Sequence, residues 1–420
     1  MGFRFHSPGV LYHNGVFSSI AEQFDQPTNR LYRLRDELVR NHIRMTDLVS
    51  GNVNTQGIIF PKGLFQKALA AGARASRTYH PDPLGQPAAR EAISRLYAKE
   101  GFKVPPEQLV LTPGTSISYW YAFKLLANSG DEILCPSPSY PLFDSIAALS
   151  GIALTHYRLH ERARWEIDFE SLEAAITART RAIIFISPHN PTGAVATPEE
   201  IKRLSSIASA KNLAIISDEV FSPFLFFERE LLPRPAQTTA PLVITLNGLS
   251  KMLALPGLKI GWMSVTGEPF LVKSSLKTLE MVSDTFLPVN EAAQLAVPPI
   301  LAGSGAFQKS YVKEIKKRMR CAVDLLGHQM KISFVKPEGG FFLTLRLADK
   351  DHDEEEMALR LLKNHRVLVH PGYFYDMEGR HLVFSFVSRP ATLRKSLRAL
   401  IGLIRSDRKA EGRSGYGLNG

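Results

Sequence analysis

Lys251 sits in LNGLSKMLALPGLKIGWM (246–263), a run of small and apolar residues with no other charge until Lys259. Lysine is seldom fully buried unless paired. When it is buried its pKa falls, which suits it to Schiff-base chemistry. A lysine on the rim of a helix is the plain alternative. Polar groups placed just after apolar runs recur upstream. Asp218 follows LAIIS within SDEV (217–220), where an unpaired carboxylate is costly and implies a cationic partner. Asn190 lies in SPHNPTG (187–193), a turn-forming stretch by its Asn, Pro and Gly content. Tyr140 lies in SPSYPLF (137–143), between prolines that stiffen the loop, so its ring serves either as a stacking plate or as a core residue. Gly114, Thr115 and Ser116 in LTPGTS (111–116) join a strand to a helix. Free N–H groups and hydroxyls there suit a phosphate, although Thr and Ser also cap helices for structural reasons alone. A phosphate cradle, an aromatic plate, an amide, a carboxylate and a lysine together fit a phosphorylated, aromatic, aldehyde-bearing cofactor, pyridoxal 5'-phosphate.

Placing such groups side by side requires alternating elements. Between about 80 and 265, strands are expected at 108–114, 131–136, 152–159, 181–188, 213–220, 241–248 and 259–265. Helices fall between several of them, as at 116–130 and 197–212. Thr197, Pro198 and Glu200 make a helix-start signature. The alternation argues an α/β domain with a mostly parallel sheet and functional loops at the carboxyl ends of its strands. Farther on, a long helix (307–329), strands within 332–347, 367–372 and 381–387, and a closing helix (391–405) make a smaller α+β domain. The helical pattern at 28–42 is expected to pack on that second part. The expected division is 55–295 for the large domain and 1–54 with 296–405 for the small one. The polar, glycine-rich tail 406–420 is expected to be disordered.

The 420 residues are 45% hydrophobic and 22% charged, the balance of an ordinary globular chain. Two cysteines, Cys135 and Cys321, make neither a disulfide framework nor a metal-ligand spacing; both read as small core residues in a reducing compartment, and no metal is expected. The N-terminus lacks an apolar signal region and no 18-residue apolar run occurs, so a cytoplasmic protein without membrane insertion is expected. The net charge of +11 comes from dispersed basic residues, read as solvated helix faces rather than a nucleic-acid surface.

The chain resembles the class I/II aminotransferases, the fold type I group of pyridoxal-phosphate-dependent enzymes. GNVNTQGIIFP, YHPDPLGQPAAREAI, LTPGTS, GDEILCPSPSYP, HNPTG, SDEV, GLSKMLALPGLKIGW, PEGGFF and VLVHPG follow that family's order along nearly the whole length. The resemblance implies a large domain with a central, mostly parallel seven-stranded sheet flanked by helices, a smaller α+β domain, and a homodimer with shared active sites. It implies that Lys251 carries the Schiff base and shuttles a proton, and that Asp218 keeps the pyridine nitrogen protonated. Asn190 is then the donor to the ring's phenolic oxygen, and Tyr140 the ring's stacking partner. Gly114, Thr115, Ser116, Ser250 and Lys259 would hold the phosphate, with Tyr79 reaching the phosphate of the neighbouring subunit. Gly51 falls in the loop that passes the substrate carboxylate. Three positions depart from the family pattern. Lys259 replaces an arginine at the phosphate, and Phe221 replaces a tyrosine beside the ring. Val383, in HLVFSFVSRP, stands where the family's arginine clamps the substrate carboxylate; Arg389, Arg380 and Arg346 are the nearby arginines that could substitute. The implied reaction moves an amino group from an amino donor to a 2-oxo acid through pyridoxamine phosphate. A lyase or synthase on the same scaffold, of the β/γ-eliminating C–S lyase type, is the alternative, because the cofactor motifs do not set the carbanion's fate. A cofactor-sensing regulator fused to a DNA-binding unit fits poorly with about 50 residues ahead of the domain.

Overall fold

The computed structural model describes residue 16 and residues 18–24, 27–227, 231–329, 332–347 and 353–411. A short strand, β1 (Thr46–Asp47), precedes the main sheet. The main sheet contains β2 (Leu109–Thr112), β3 (Glu132–Ser137), β4 (Ala153–Glu161), β5 (Trp165–Ile167), β6 (Thr180–Ile186), β7 (Ala214–Asp218), β8 (Leu242–Gly248) and β9 (Gly261–Gly267). Their spatial order is β2-β9-β8-β7-β6-β3-β4-β5. The neighbours from β8 through β7, β6 and β3 to β4 run parallel, while β9 is antiparallel to both β2 and β8. All seven expected strands are present, although β9 begins at Gly261 rather than Lys259. The eighth, β5, folds back antiparallel on β4. It was not expected, because three residues are too few to show a period-2 pattern.

Successive side chains leave a strand on opposite faces. Ile133, Cys135, Ala182, Ile184 and Ile216 enter one core with the helices Thr115–Leu126 and Pro269–Phe286. Leu134, Ile183, Phe185, Ile215 and Val243 enter another with the helix Pro198–Lys211. Coverage on both faces is why these strands read as unbroken aliphatic runs. The helix on the second face starts at the expected capping box. Thr197 Oγ1 accepts from the Glu200 N–H at 3.1 Å, and Glu200 accepts from the Thr197 N–H at 2.9 Å. Such a cap contributes about 1 kcal/mol.

The chain runs outward from β3 to β4 and then returns to β6 on the other side of β3. Connections therefore diverge between β3 and β6, and a crevice opens at the carboxyl ends of the strands there. Ile186, Asp218 and Leu246 are aligned across β6, β7 and β8, at the level of that crevice.

The C-terminal part supplies β10 (Ile332–Ser333), β11 (Phe342–Leu347), β12 (Val367–Leu368), β13 (His370–Pro371) and β14 (His381–Ser385). Four of them form an antiparallel sheet in the order β10-β11-β14-β13, and β12 pairs in parallel with β1. Leu31, Tyr32 and Leu38 of the helix Arg30–Arg40 share a core with Met357, Ala358 and Leu361 of the helix Glu354–His365. The N-terminal segment thus packs on the C-terminal part, as its helical pattern suggests. Phe341 joins the second sheet to the main one, with its ring 4.8 Å from that of Phe221 and 4.7 Å from that of Phe224. The closing helix, Pro390–Glu411, runs past the end expected for it, so the tail expected to be disordered begins within this helix; residues 412–420 lie outside the described residues. Cys135 is buried, Cys321 is half-buried, and both are free thiols. Among the described residues no helix is long and apolar enough to cross a membrane, and no acidic, His or Cys cluster is suited to a metal ion.

Candidate active site

The crevice holds a cavity of about 480 Å³. Loops following β2, β3, β6, β7 and β8 line one side, and Ser50, Gly51, Phe342, His370 and Tyr375 line the other. A larger groove, about 810 Å³, runs along the helix Gly305–Leu326 near Arg394, but it carries none of the candidate site residues.

Glycines allow the cavity's backbone walls to close. A Cβ on Gly261 would stand 2.9 Å from Gly114 Cα, and one on Gly248 would stand 2.9 Å from Ile260 O. These contacts bring the β2 turn, the end of β8 and the start of β9 together, with Thr115, Ser116 and Ser250 on the cavity wall. Gly114 itself has φ +127°, and the space in front of it is open. Lys251 lies in a single helical turn, Leu249–Met252, that follows β8. Leu249 and Met252, three apart, face the core, which turns Ser250 and Lys251 to the cavity. A Cβ on Gly51 would sit 3.2 Å from Lys251 Nζ, so the 50–51 segment passes directly beside the amine. Asn54 fixes that segment by donating from Nδ2 to Ala254 O at 3.0 Å.

Asp218 ends β7 with its carboxylate at the cavity floor. Tyr119 donates to Oδ2 at 2.8 Å, and the Val220 N–H donates to Oδ1 at 3.0 Å. Burial nonetheless pushes the carboxyl up to about 6, outweighing these two bonds and the nearby Lys251. Burial also lowers the pKa of Lys251, against the pull of Asp218, so the amine is easier to deprotonate than an ordinary lysine. Phe221 places its ring 5.9 Å from Lys251 Nζ. Asn190 lines the cavity with its Oδ1 buried and unpartnered. Tyr140 is 41% exposed and packs edge-on against Phe143, so it is a wall residue rather than a core one.

The structure therefore gathers Lys251, Asp218, Asn190, Tyr140, Thr115, Ser116, Ser250 and Gly51 around one cavity, with Gly114 directly behind Thr115. Besides Gly114, three expected residues lie outside its wall. Lys259 is exposed: Ile260 takes the inward position, and its neighbour faces out. Tyr79 stands 70% exposed. Arg389 lays its guanidinium against Gly57, where a Cβ would be 3.1 Å away. Val383 is buried between Thr344 and His370 of the neighbouring strands. Arg346 reaches Glu161 at 3.5 Å on the surface, and Arg380 is likewise absent from the cavity wall. Among the described residues no arginine lines the cavity.

Sequence reasoning missed Tyr119, His370 and Tyr375. Tyr119 had a signal, because it stands four residues after Thr115 on the same helix and so shares its face. His370 and Tyr375 had none, since they reach the cavity through the second sheet.

The sequence model of the family described as aminotransferase class I and II matches residues 44–400. The glutamate-pyruvate aminotransferase AlaA of Escherichia coli K12 is 33% identical over 301 residues, 70% of this chain and 74% of that protein. A probable aspartate aminotransferase of Methanocaldococcus jannaschii is 28% identical over 381 residues, 88% of this chain and 97% of the relative. The solved alanine aminotransferase of Pyrococcus furiosus superposes with a TM-score of 0.86 at 26% identity, covering 93% of this chain and 100% of that one. These similarities favour amino transfer over the lyase alternative. The chain belongs to the class I and II aminotransferase family, pyridoxal-phosphate enzymes of fold type I, and is an enzyme of that class.

Proposed function

We propose that this aminotransferase binds pyridoxal 5'-phosphate in the 480 Å³ cavity and moves an amino group from an amino donor to a 2-oxo acid, with Lys251 as the reacting amine. The observation that carries this reading is the juxtaposition of Lys251 with Asp218, a buried carboxylate held by neutral donors. The donor set fits the cofactor. Three hydroxyls, from Thr115, Ser116 and Ser250, stand beside open space at Gly114, and the side-chain amide of Asn190 lines the same wall.

When bound, the cofactor supplies an aldehyde that condenses with amines and a ring that takes up an electron pair from the substrate carbon. The chain's own groups do the rest. Thr115, Ser116 and Ser250 hold the phosphate, while Tyr140 covers the ring. Asp218 holds a proton on the ring nitrogen through a charge-assisted bond. Lys251, its pKa lowered by burial, would present a free amine to the cofactor's aldehyde and would move a proton at the substrate carbon. Phe221, Phe143 and Ile186 line the same space and exclude water.

The same reading includes a homodimer, supported by the exposed ring of Tyr79, and a cytoplasmic location, supported by two free thiols. It also keeps the division into a large unit, 55–295, and a small one, 1–54 with 296–405, supported by the separate sheets. Titrating cofactor-free protein with pyridoxal phosphate tests the site. The wild type is expected to develop a visible absorbance band. Lys251→Ala is expected to bind the cofactor without that band; an identical band in both proteins contradicts the reading.

A further inference from the structure

Three polar side chains run in series from the N-terminal helix to the cavity, and the reading above gives none of them a role in holding the cofactor. The Tyr32 hydroxyl lies 2.8 Å from His370 Nε2, and His370 Nδ1 lies 3.1 Å from the Tyr375 hydroxyl. All three residues are buried. His370 and Tyr375 line the cavity, whereas Tyr32 stands behind them on the helix Arg30–Arg40.

A 2-oxo acid carries a carboxylate next to its reacting carbon, and that carboxylate must find donors in the wall. Among the described residues Lys251 is the one cationic side chain there, and the reading above commits it to the amine chemistry. The remaining donors are neutral. Burial holds His370 at about 3, well below an ordinary imidazole, so its ring is neutral at working pH and carries one N–H and one acceptor nitrogen. Burial also raises both phenols, so each keeps its proton.

Only two directions of hydrogen bonding satisfy that inventory. In the first, Tyr375 donates to Nδ1, Nε2–H donates to Tyr32, and Tyr375 has no proton left to offer. In the second, Tyr32 donates to Nε2, Nδ1–H donates to the Tyr375 oxygen, and the Tyr375 O–H is free to turn toward the cavity. A bound anion selects the second direction, since it rewards a donor and repels a lone pair.

We propose that Tyr375 receives the substrate carboxylate through its hydroxyl and that His370 and Tyr32 are positioning residues that set the tautomer releasing that proton. The substrates are then 2-oxo acids and their amino acids, recognised at the carboxylate by a phenol rather than by an ion pair. The proposal rests on the reading of Lys251 as the reacting amine.

The test uses the holoenzyme and the fastest acceptor among pyruvate, 2-oxoglutarate and oxaloacetate, with propionate as an unreactive carboxylate probe. In Tyr375→Phe the acceptor KM and the propionate Kd are expected to rise about 10- to 100-fold, the range of a hydrogen bond to a charged group, with kcat little changed. Tyr32→Phe, remote from the cavity, is expected to shift both constants in the same direction by less, and it serves if Tyr375→Phe does not fold. The visible band should be unmoved in both variants. Unchanged KM and Kd, or a loss confined to kcat, overturns the proposal. Borohydride labelling of the same preparations separates the two readings. A wild type without an adduct on Lys251 overturns both, whereas a Lys251 adduct together with unmoved constants overturns only the role of Tyr375.

Discussion

Asp218 and Glu219 are neighbours in the chain, both are buried, and burial pushes each carboxyl up to about 6. Their surroundings differ completely, because successive side chains at the end of β7 leave in opposite directions. Behind the sheet, Glu219 accepts from Arg234 Nε at 2.7 Å, and the same guanidinium reaches Glu100 at 2.6 Å. Arg234 is 2% exposed there and lies over the rings of Tyr97 and Phe102. In front, Asp218 has two neutral donors, Tyr119 and the Val220 N–H, and it lines the cavity. A buried carboxylate with its own guanidinium is a structural ion pair. One held by neutral groups at a cavity is left to be neutralised by whatever cation enters. The pKa alone does not tell the two apart; the partners do.

Removing Arg234 should have the largest effect, and on stability. Arg234→Ala leaves Glu219 unpaired in the interior, a change worth about 3–5 kcal/mol. Urea denaturation should show that loss, while folded enzyme keeps its visible band. If the band is lost and stability is unchanged, the roles of the two carboxylates are reversed. Asp218→Ala should do the converse. It removes a charge-assisted bond worth about 1.5–3 kcal/mol, so cofactor retention weakens and deprotonation of the donor carbon slows. Single-turnover activity equal to wild type would take Asp218 out of the mechanism.

The pH dependence of stability sharpens the contrast. Both carboxyls hold protons more tightly when folded than when unfolded, so the folded state binds more protons between about 4 and about 6. Their contribution is complete below that window and is lost as pH rises through it. For Asp218 the rise from 3.8 to about 6 corresponds to roughly 3 kcal/mol. Adding the cofactor gives Asp218 a cation and should remove its share of the slope. The share of Glu219 should remain. Thermal melts with and without cofactor at pH 4, 5, 6 and 7 read this directly, and identical slopes would contradict the assignment.

The smallest expected effect concerns Phe221. A hydroxyl restored there by Phe221→Tyr would donate to the cofactor's phenolic oxygen and lower the pH midpoint of the colour change, each unit being about 1.4 kcal/mol. A midpoint that holds or rises would mean that position 221 does not face that oxygen.

Much of this site was legible because the main sheet is regular. Lys251, Asp218, Asn190 and Tyr140 each follow an aliphatic strand, and parallel strands deliver their carboxyl ends to one crevice. Legibility failed wherever the second sheet meets the first. His370 and Tyr375 approach the cavity across a register that pairs His370 with Val383, a long-range fact that no local pattern in VLVHPGYFY displays. The three-residue strand β5 was invisible for want of length.

In the proposed site Lys251 is the amine that holds the cofactor. Borohydride reduction of the holoenzyme, followed by proteolysis and mass spectrometry, tests it most directly. The expected result is one cofactor-bearing peptide that contains Lys251. A cofactor adduct on any other lysine, Lys259 included, or none at all on a protein that has bound pyridoxal phosphate, contradicts the account.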